Sequence, residues 1–511
     1  MSIEQDKAIQ AIETALRGVD VRNADISSAN SGVAGVDLLP VANIVTLVTP
    51  FTDMVPREAA GATGPAALFD VIKGNVSGDV SGTAEEGKRG GQASFSGARS
   101  GAYYKTIALE MAVTDEAQYA ADGRLDMRAA AVSRTLVEAK RIQERSFLFG
   151  RTTIASDSYA AGRLTTTADG ASVAATPAPV LVSTTGGAIA DATYSVIAVA
   201  LNGDAYWATK GYTVSAAGTF AATAGAELLD RTRTNGDGTT TTVKGGTGIK
   251  STAASSGALS TSNANKITAS IAAVSGAVGY AWFVGASGSE VYQGTTATAQ
   301  AVFTKLQTGT QAAASNFTAD NSADSLRYDG ILTRIEKAGL NITTLTNGTT
   351  LAADGEGGIL EFTDIFSNMH QALDGYSPKF VMCNGKGQKL INKTILGGST
   401  PTTYLTAQLS GQSEIIAGKR VIGIFNPITS TPVNVIVNPY MPDGTFMLGT
   451  DEIPTVVPSP ATTPFFFRPR RDYWAEIWPR TTRKTVDSVT IDGALCMRWF
   501  DGFGLVKNVA V

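Results

Sequence analysis

Residues 84–95, AEEGKRGGQASF, place two carboxylates, Glu85 and Glu86, beside two cations, Lys88 and Arg89, in a run punctuated by glycine. A carboxylate pair does acid–base chemistry only in a pocket that moves the two acids apart in pKa. On a glycine-rich tip both stay solvated unless a partner covers them. The single histidine, His370, falls on a helical pattern at 360–376, where a satisfied helix residue is the simpler reading than a catalytic base. No G-x-S-x-G nucleophile elbow is present. GGTGIKST (245–252) imitates a phosphate loop, but Ile249 stands where the motif needs glycine before its lysine. NGDG (235–238) imitates a calcium loop, yet that alignment puts Arg233 and Lys244 at positions that require carboxylates, so a turn tip is expected. NGKG (384–387) follows a strand and reads as a turn entering a helix, with an anion cradle as the sharper alternative. Cys383 and Cys496 lie in separate hydrophobic stretches and form neither a zinc spacing nor a disulfide framework. Buried free thiols, made in a reducing compartment, are expected. The sequence therefore predicts no catalytic residue, no metal and no cofactor.

The 511-residue chain is long enough for several domains and a large core. Charged residues make up 17%, well under the usual quarter, and Ala, Gly, Ser and Thr take their place. Net charge is −4, so tight, phosphate-led nucleic-acid binding is not the expectation. Cations gather only in FFFRPRRDYWAEIWPRTTRK (465–484), which reads as a solvated or interface face. The first twenty residues lack the apolar region of a secretory signal, and no 18-residue uncharged apolar stretch suggests a membrane span.

The elements that would position the charged tip are legible from periodicity. ALFDVIKGNVSGDV (67–80) and YYKTIALEMAV (103–113) read as strands, the second with Ile107, Leu109, Met111 and Val113 alternating. The tip between them belongs to a long projecting hairpin. Before it, Ile9, Ile12, Leu16 and Val19 give an amphipathic helix over 3–19, followed by a polar arm with too few apolar residues to fold alone. NIVTLVTPFTDMVPRE (43–58) is a short apolar stretch stopped by Pro50 and Pro56. A long helix is expected over 114–149, with Leu125, Ala129, Val132, Leu136 and Ala139 as its stripe, Glu138, Arg141, Glu144 and Arg145 off it, and Gly150 as its stop. From Thr176 to Leu306 the chain turns to short alternating strands, including DAYWATKGYTVS (204–215), spaced near ten residues apart. That spacing predicts an antiparallel β-sandwich without a disulfide, of fibronectin-III-like or immunoglobulin-like type. Tyr206, Trp207, Tyr280 and Trp282 are expected in its core rather than in a carbohydrate site. After Ala323 a helix–strand mixture returns, so the overall class is α+β with an inserted all-β unit.

TPFTDMVPRE, the loop 74–102 running into YYKTIALEMAVTDEA, YDGILTRIEKAG, PKFVMCNGKGQKLIN and GKRVIGIFNPITSTPVNVIVNPYMPDGTFMLG together resemble the major capsid proteins of tailed bacteriophages, with the Hong Kong 97-type shell fold. The resemblance covers most of the chain outside 176–306, and the strand–turn–strand ending in Met-Pro-Asp-Gly is its most specific part. It implies an N-terminal arm over 1–60, an extended loop with flanking strands over 61–113, and a spine helix with part of the peripheral domain over 114–175. It further implies an insertion domain at 176–306, an axial domain at 307–440, and peripheral-domain strands with the C-terminus at 441–511.

By the same resemblance the protein is a structural, non-enzymatic subunit. It self-assembles as hexamers and pentamers into an icosahedral shell around double-stranded DNA, which it encloses without sequence-specific binding. A portal protein is an implied partner, scaffolding and decoration proteins are further candidates, and no membrane is involved. Assembly takes place in the bacterial host cytoplasm and the product is the virion. Glu85, Glu86, Lys88 and Arg89 would contact an adjacent subunit, and Ile9, Ile12, Leu16 and Val19 would dock the arm. Lys88 also lies in the loop that some relatives weld by an isopeptide bond, without a partner asparagine that the sequence identifies. An encapsulin-like nanocompartment shell and a β-sandwich surface adhesin stand as alternatives.

Overall fold

The structure, a computed structural model, describes residues 47–59, 64–77, 86–88, 93–121, 126–152, 175–215, 219–339, 341–355, 357–373, 375–396, 421–454, 461–480 and 482–511. The helix expected at 3–19, with Ile9, Ile12, Leu16 and Val19, lies outside them, as do Glu85 and Arg89.

The chain enters at α1 (Pro50–Met54). Pro50 starts this helix rather than stopping the segment, because a ring-locked φ and a missing N–H suit the first helical position. Two antiparallel strands follow, β1 (Ala66–Ser77) and β2 (Ala93–Tyr103), paired from Ala66 opposite Tyr103 to Ser77 opposite Ala93. β3 (Lys105–Thr114) alternates as expected and joins a second sheet. The helix expected over 114–149 is described in two pieces, α2 (Asp115–Ala120) and α3 (Met127–Phe149), each with its own side-chain cap. Thr114 accepts from Ala117 N, and Asp126 from Arg128 N and Ala129 N. α3 does end at Gly150, but with φ −59 and not in the left-handed region. The glycine is needed there because a Cβ would stand 2.6 Å from the carbonyl oxygens of both Ser146 and Tyr328.

The next stretch, which runs past the 306 boundary expected for the insertion, contains β4 (Val180–Ile189), β5 (Thr193–Leu201), α4 (Gly203–Thr209), β6 (Thr219–Ala224), β7 (Arg231–Thr234), β8 (Thr240–Val243), β9 (Ala254–Ala258), β10 (Asn265–Ser270), β11 (Gly279–Gly285), β12 (Val291–Thr296), β13 (Gln300–Phe303) and β14 (Thr308–Gln311), which pairs with β6. A three-stranded sheet, β13-β10-β4, faces a four-stranded one, β12-β11-β5-β9. Ile267, Ala269, Ala301 and Phe303 from the first meet Val196, Ala198, Tyr280 and Trp282 from the second. The opposite face of β5 and β11, with Ile197, Val199, Ala281 and Phe283, is covered by Leu228, Tyr292, Ala312 and Phe317. β5 and β11 are thus buried on both faces, which explains their continuous apolar runs. Tyr280 and Trp282 are core residues on one face of β11. Residues 204–209, expected in a strand, form α4: Asn202 caps its start by accepting from Ala205 N at 2.9 Å, and Thr209 donates back to Ala205 O. An N-cap asparagine outweighs a short alternating pattern.

The body resumes with α5 (Ile331–Ala338), β15 (Ile342–Thr344), α6 (Leu360–Ala372), β16 (Phe380–Cys383), α7 (Gly385–Leu396), β17 (Gly423–Asn426), β18 (Thr431–Val437), β19 (Phe446–Gly449), β20 (Phe465–Ile477), β21 (Lys484–Met497) and β22 (Gly504–Lys507). Six strands form one mixed sheet in the order β15-β22-β19-β16-β18-β17. β19 and β22, from the last seventy residues, lie inside it, β19 beside β16 and β22 between β15 and β19. Along β16 Val381 and Cys383 point to α6 and α7, whose Phe362, Phe366, Met369, Leu390 and Ile391 cover that face. Phe380 and Met382 point to the other side, toward Phe147, Leu148 and Phe149 of α3 and Ile331 and Ile335 of α5. A second sheet, β20-β21-β3, is antiparallel and carries α3, with Ile107 opposite Ile491 and Leu109 opposite Val489. One core therefore unites α1, α3, α5 and both sheets.

Candidate assembly surface

The two-stranded ribbon β1–β2 is rooted by its inner side. Ala67, Phe69 and Ala102 pack on Phe466, Ala494 and Cys496, and the Phe69 and Phe466 rings meet edge-on at 5.5 Å. Arg498 lies over the Phe466 ring at 3.7 Å while its guanidinium reaches Glu58 at 2.7 Å. Arg468 holds the same carboxylate at 3.1 Å, so the ribbon root and the chain leaving α1 share one anchor. The ribbon's outer side carries two exposed apolar residues: Leu68 is 52% and Ile72 69% accessible. Each stands opposite a glycine, Leu68 beside Gly101 and Ile72 beside Gly97, with the Asp70–Arg99 pair at 2.8 Å between them. Glycine partners leave the knobs uncovered by any cross-strand side chain. Arg99 holds the Asp70 carboxyl below its ordinary range through this hydrogen bond. At the tip, Glu86, Gly87 and Lys88 are exposed, and Gly87 takes φ 77. Two of the four charged tip residues expected from sequence, Glu86 and Lys88, are therefore exposed.

A buried carboxylate fixes α1 against α3. Glu144, expected off the helix stripe, is fully buried. Its oxygens accept from Phe51 N at 3.0 Å, Thr52 N at 2.7 Å, Thr52 Oγ1 and Asn438 Nδ2. It caps the first turn of α1 from outside, where N–H groups have no helical partner. Burial raises its pKa, and the same hydrogen bonds oppose that rise. Beside it, Arg57 donates to Gln143 Oε1 at 3.2 Å and pairs with Asp472, and Tyr473 also donates to Gln143. Periodicity missed Glu144 because a helix wheel records only polarity.

The insertion is seated on the body by specific contacts. The Trp207 indole donates to Tyr440 O at 3.2 Å and packs on the Tyr440 ring at 5.6 Å, while Lys210 Nζ lies 4.0 Å over the indole. Trp207 is thus a seam residue, whereas Tyr206 is in the core. Arg327 pairs with Asp204 at 3.3 Å, and Asn508 accepts from Ala299 N at 2.8 Å. At the tip of the β7–β8 hairpin, Gly236 lies so near Glu110 of β3 that a Cβ would overlap its carboxylate. The NGDG run is a turn, with Gly238 at φ 83 and Asp237 accepting from Thr239 N.

Two signatures from the sequence meet at the base of this seam. Asp443, in the Met-Pro-Asp-Gly turn, accepts from Asn384 Nδ2 at 2.5 Å and from Lys386 at 2.6 Å, with Lys210 of the insertion 4.0 Å away. Asn384 in turn accepts from Gly387 N at 2.8 Å and starts α7. The NGKG run is therefore a helix entry whose nearest anion is a carboxylate of the chain itself. Gly444 takes φ 69, and a Cβ there would stand 2.3 Å from Val509 O.

Candidate chemistry elsewhere stays dispersed. His370 is half-buried on α6, and both cysteines are buried, Cys496 with its thiol pKa pushed up to about 12 by burial. Among the described residues no group of three or more His, Cys, Asp or Glu is placed to hold a metal ion, and no helix is long and apolar enough to cross a membrane. The cations of 465–484 are largely ion-paired: Arg470 with Asp492, Arg471 with Glu476, Arg480 with Asp115 and Arg483 with Glu116.

No protein family and no curated protein matches the sequence. Solved structures that align over nearly the whole chain include phage and GTA capsids. The capsid of Myoviridae phage XM1 is 8% identical, with 92% of this chain and 95% of that one covered, at a TM-score of 0.39. The capsid of a native GTA particle is 11% identical over 95% and 100%, at 0.41. The capsid of cyanophage P-SCSP1u is 7% identical over 96% and 97%, at 0.39.

Proposed function

We propose that this chain has the Hong Kong 97-type shell fold and is the structural subunit of an icosahedral phage capsid. The observation that carries the reading is the β1–β2 ribbon, which is rooted on a rigid body yet exposes Leu68 and Ile72 in a line. Apolar knobs on an extended ribbon suit a surface that another copy completes. The order of arm, ribbon, β3, spine helix, inserted β unit and six-stranded sheet supports the same reading. In it, residues 1–60 form the arm, with Ile9, Ile12, Leu16 and Val19 docking on a neighbour. The tip residues Glu85, Glu86, Lys88 and Arg89 pair with charges of an adjacent subunit. Each such exposed pair contributes about 0–1 kcal/mol. Summed over a closed shell, weak contacts hold the particle while letting misplaced subunits leave.

The subunit occurs as hexamers and pentamers, joins a portal protein at one vertex and encloses double-stranded DNA in the virion. Scaffolding and decoration proteins are further candidate partners. The role is structural, without catalysis. The insertion at 176–306, seated through Trp207 and Asp443, braces the subunit's own body. Sedimentation velocity on the purified full chain tests the proposal. Discrete fast species of capsomer or shell size are expected as concentration rises. A single monomer boundary at every concentration and salt would refute it.

A further inference from the structure

α7 has a cationic outer face that helix stability explains only at Lys393, which stands in the last turn where the dipole favours a cation. Lys386, Lys389 and Lys393 are all exposed, while Gly387, Gln388, Leu390 and Ile391 face the core. The spacing i, i+3, i+7 puts the three ammonium groups on one side of the helix, along roughly 10 Å at about 1.5 Å per residue. The twelve residues of α7 include no Asp or Glu. Lys386 stands in the first turn, where the helix dipole repels cations. Only Asp443, reaching in from a different turn, offsets it. Among the described residues no carboxylate pairs with Lys389 or Lys393, unlike the arginines of 465–484. A solvated face built for stability would carry acids at its start and mixed signs along its length.

We propose that this face is a docking surface for the phosphodiester backbone of duplex nucleic acid, with Lys389 and Lys393 as its principal contacts and Lys386 at its edge. The inference rests on the reading of the protein as a shell around DNA. Charge complementarity carries the choice of partner: a line of ammonium groups without carboxylates suits a line of phosphates, and lysine binds phosphate as a point charge with little base preference. Two or three such contacts per subunit are weak and salt-labile, which suits contents that must be packed and released.

The test is binding of a fluorescent 30-base-pair duplex to the purified full-length chain across a salt series. Replacing both residues, K389A/K393A, is expected to lower the magnitude of the log–log salt slope by about 1.8, or 0.9 per phosphate contact. Binding at low salt should fall about tenfold or more. The charge-keeping K389R/K393R should retain the slope, and both variants should unfold at the wild-type temperature because the side chains are exposed. An unchanged slope in K389A/K393A would overturn the inference. So would loss of assembly in that variant with the slope intact, since the lysines would then face a second copy of the chain. If the wild type binds with the expected slope change but never assembles, the duplex-binding face stands and the shell reading fails.

Discussion

Gly203, the first residue of the insertion's helix, lies against Phe149, the last residue of the spine helix, so closely that a Cβ on Gly203 would stand 1.8 Å from Phe149 Cδ2. The Phe149 ring is 2% exposed and cannot swing away. Insertion and body are packed as one core at this point, and only glycine permits the approach. Gly203→Ala should therefore destabilise the subunit by about 1–3 kcal/mol, the range of core overpacking. Thermal unfolding of the variant measures it, and an unchanged midpoint would mean that the insertion moves independently of the spine.

Trp207 seals the same seam from the side. Trp207→Ala removes the indole hydrogen bond to Tyr440 O and the ring contact, and leaves Lys210 without its aromatic face. A loss of about 2 kcal/mol is expected for this half-buried aromatic. Limited proteolysis should then release the insertion while the body persists; cleavage at the wild-type rate would show that Trp207 does not hold the seam.

Glu144 gives the pH dependence a definite sign. Its folded pKa is raised above the ordinary 4.5 by burial. Below about 4.5 the side chain is protonated whether folded or unfolded, so it adds no pH dependence. As pH rises from there through the folded pKa, the unfolded state releases its proton first, and the stability contribution of this group falls. The side chain accepts from four donors, so Glu144→Ala should still cost about 2–4 kcal/mol by leaving Phe51 N, Thr52 N and Asn438 Nδ2 unsatisfied. Urea unfolding at pH 4.5 and pH 7 checks both statements. A wild-type-minus-variant difference that does not shrink with rising pH would contradict the assigned burial cost.

The outer ribbon face separates folding from assembly. Leu68→Asp and Ile72→Asp change exposed residues, so monomer stability should stay within about 0.5 kcal/mol. Assembly, read by light scattering, should fall sharply. Normal assembly of the double variant would remove the ribbon from the contacts that matter.

Much of this architecture was legible because it follows simple periods. β3 alternates because one face meets α3, and Tyr280 with Trp282 sits on one face because strand side chains repeat every two residues. The misread parts are those settled by a single polar group. Asn202 turns 203–209 into a helix by capping it, Pro50 begins α1 where it was expected to stop a segment, and Glu144 is buried because α1 presents N–H groups to it. Nor does periodicity indicate that Asp443 gathers Asn384, Lys386 and Lys210, since those residues are separated by up to 233 positions and meet only through the sheet order. Of the tip charges, Glu86 and Lys88 are exposed as a glycine-rich run implies, while Glu85 and Arg89 lie outside the described residues.

The most direct test of the shell account is negative-stain electron microscopy of the full-length chain expressed alone, with light scattering on the same sample. Closed shells, tubes or free hexamers and pentamers are the predicted result. A folded monomer that stays monomeric at every salt concentration, and with portal or scaffolding partners added, would contradict it.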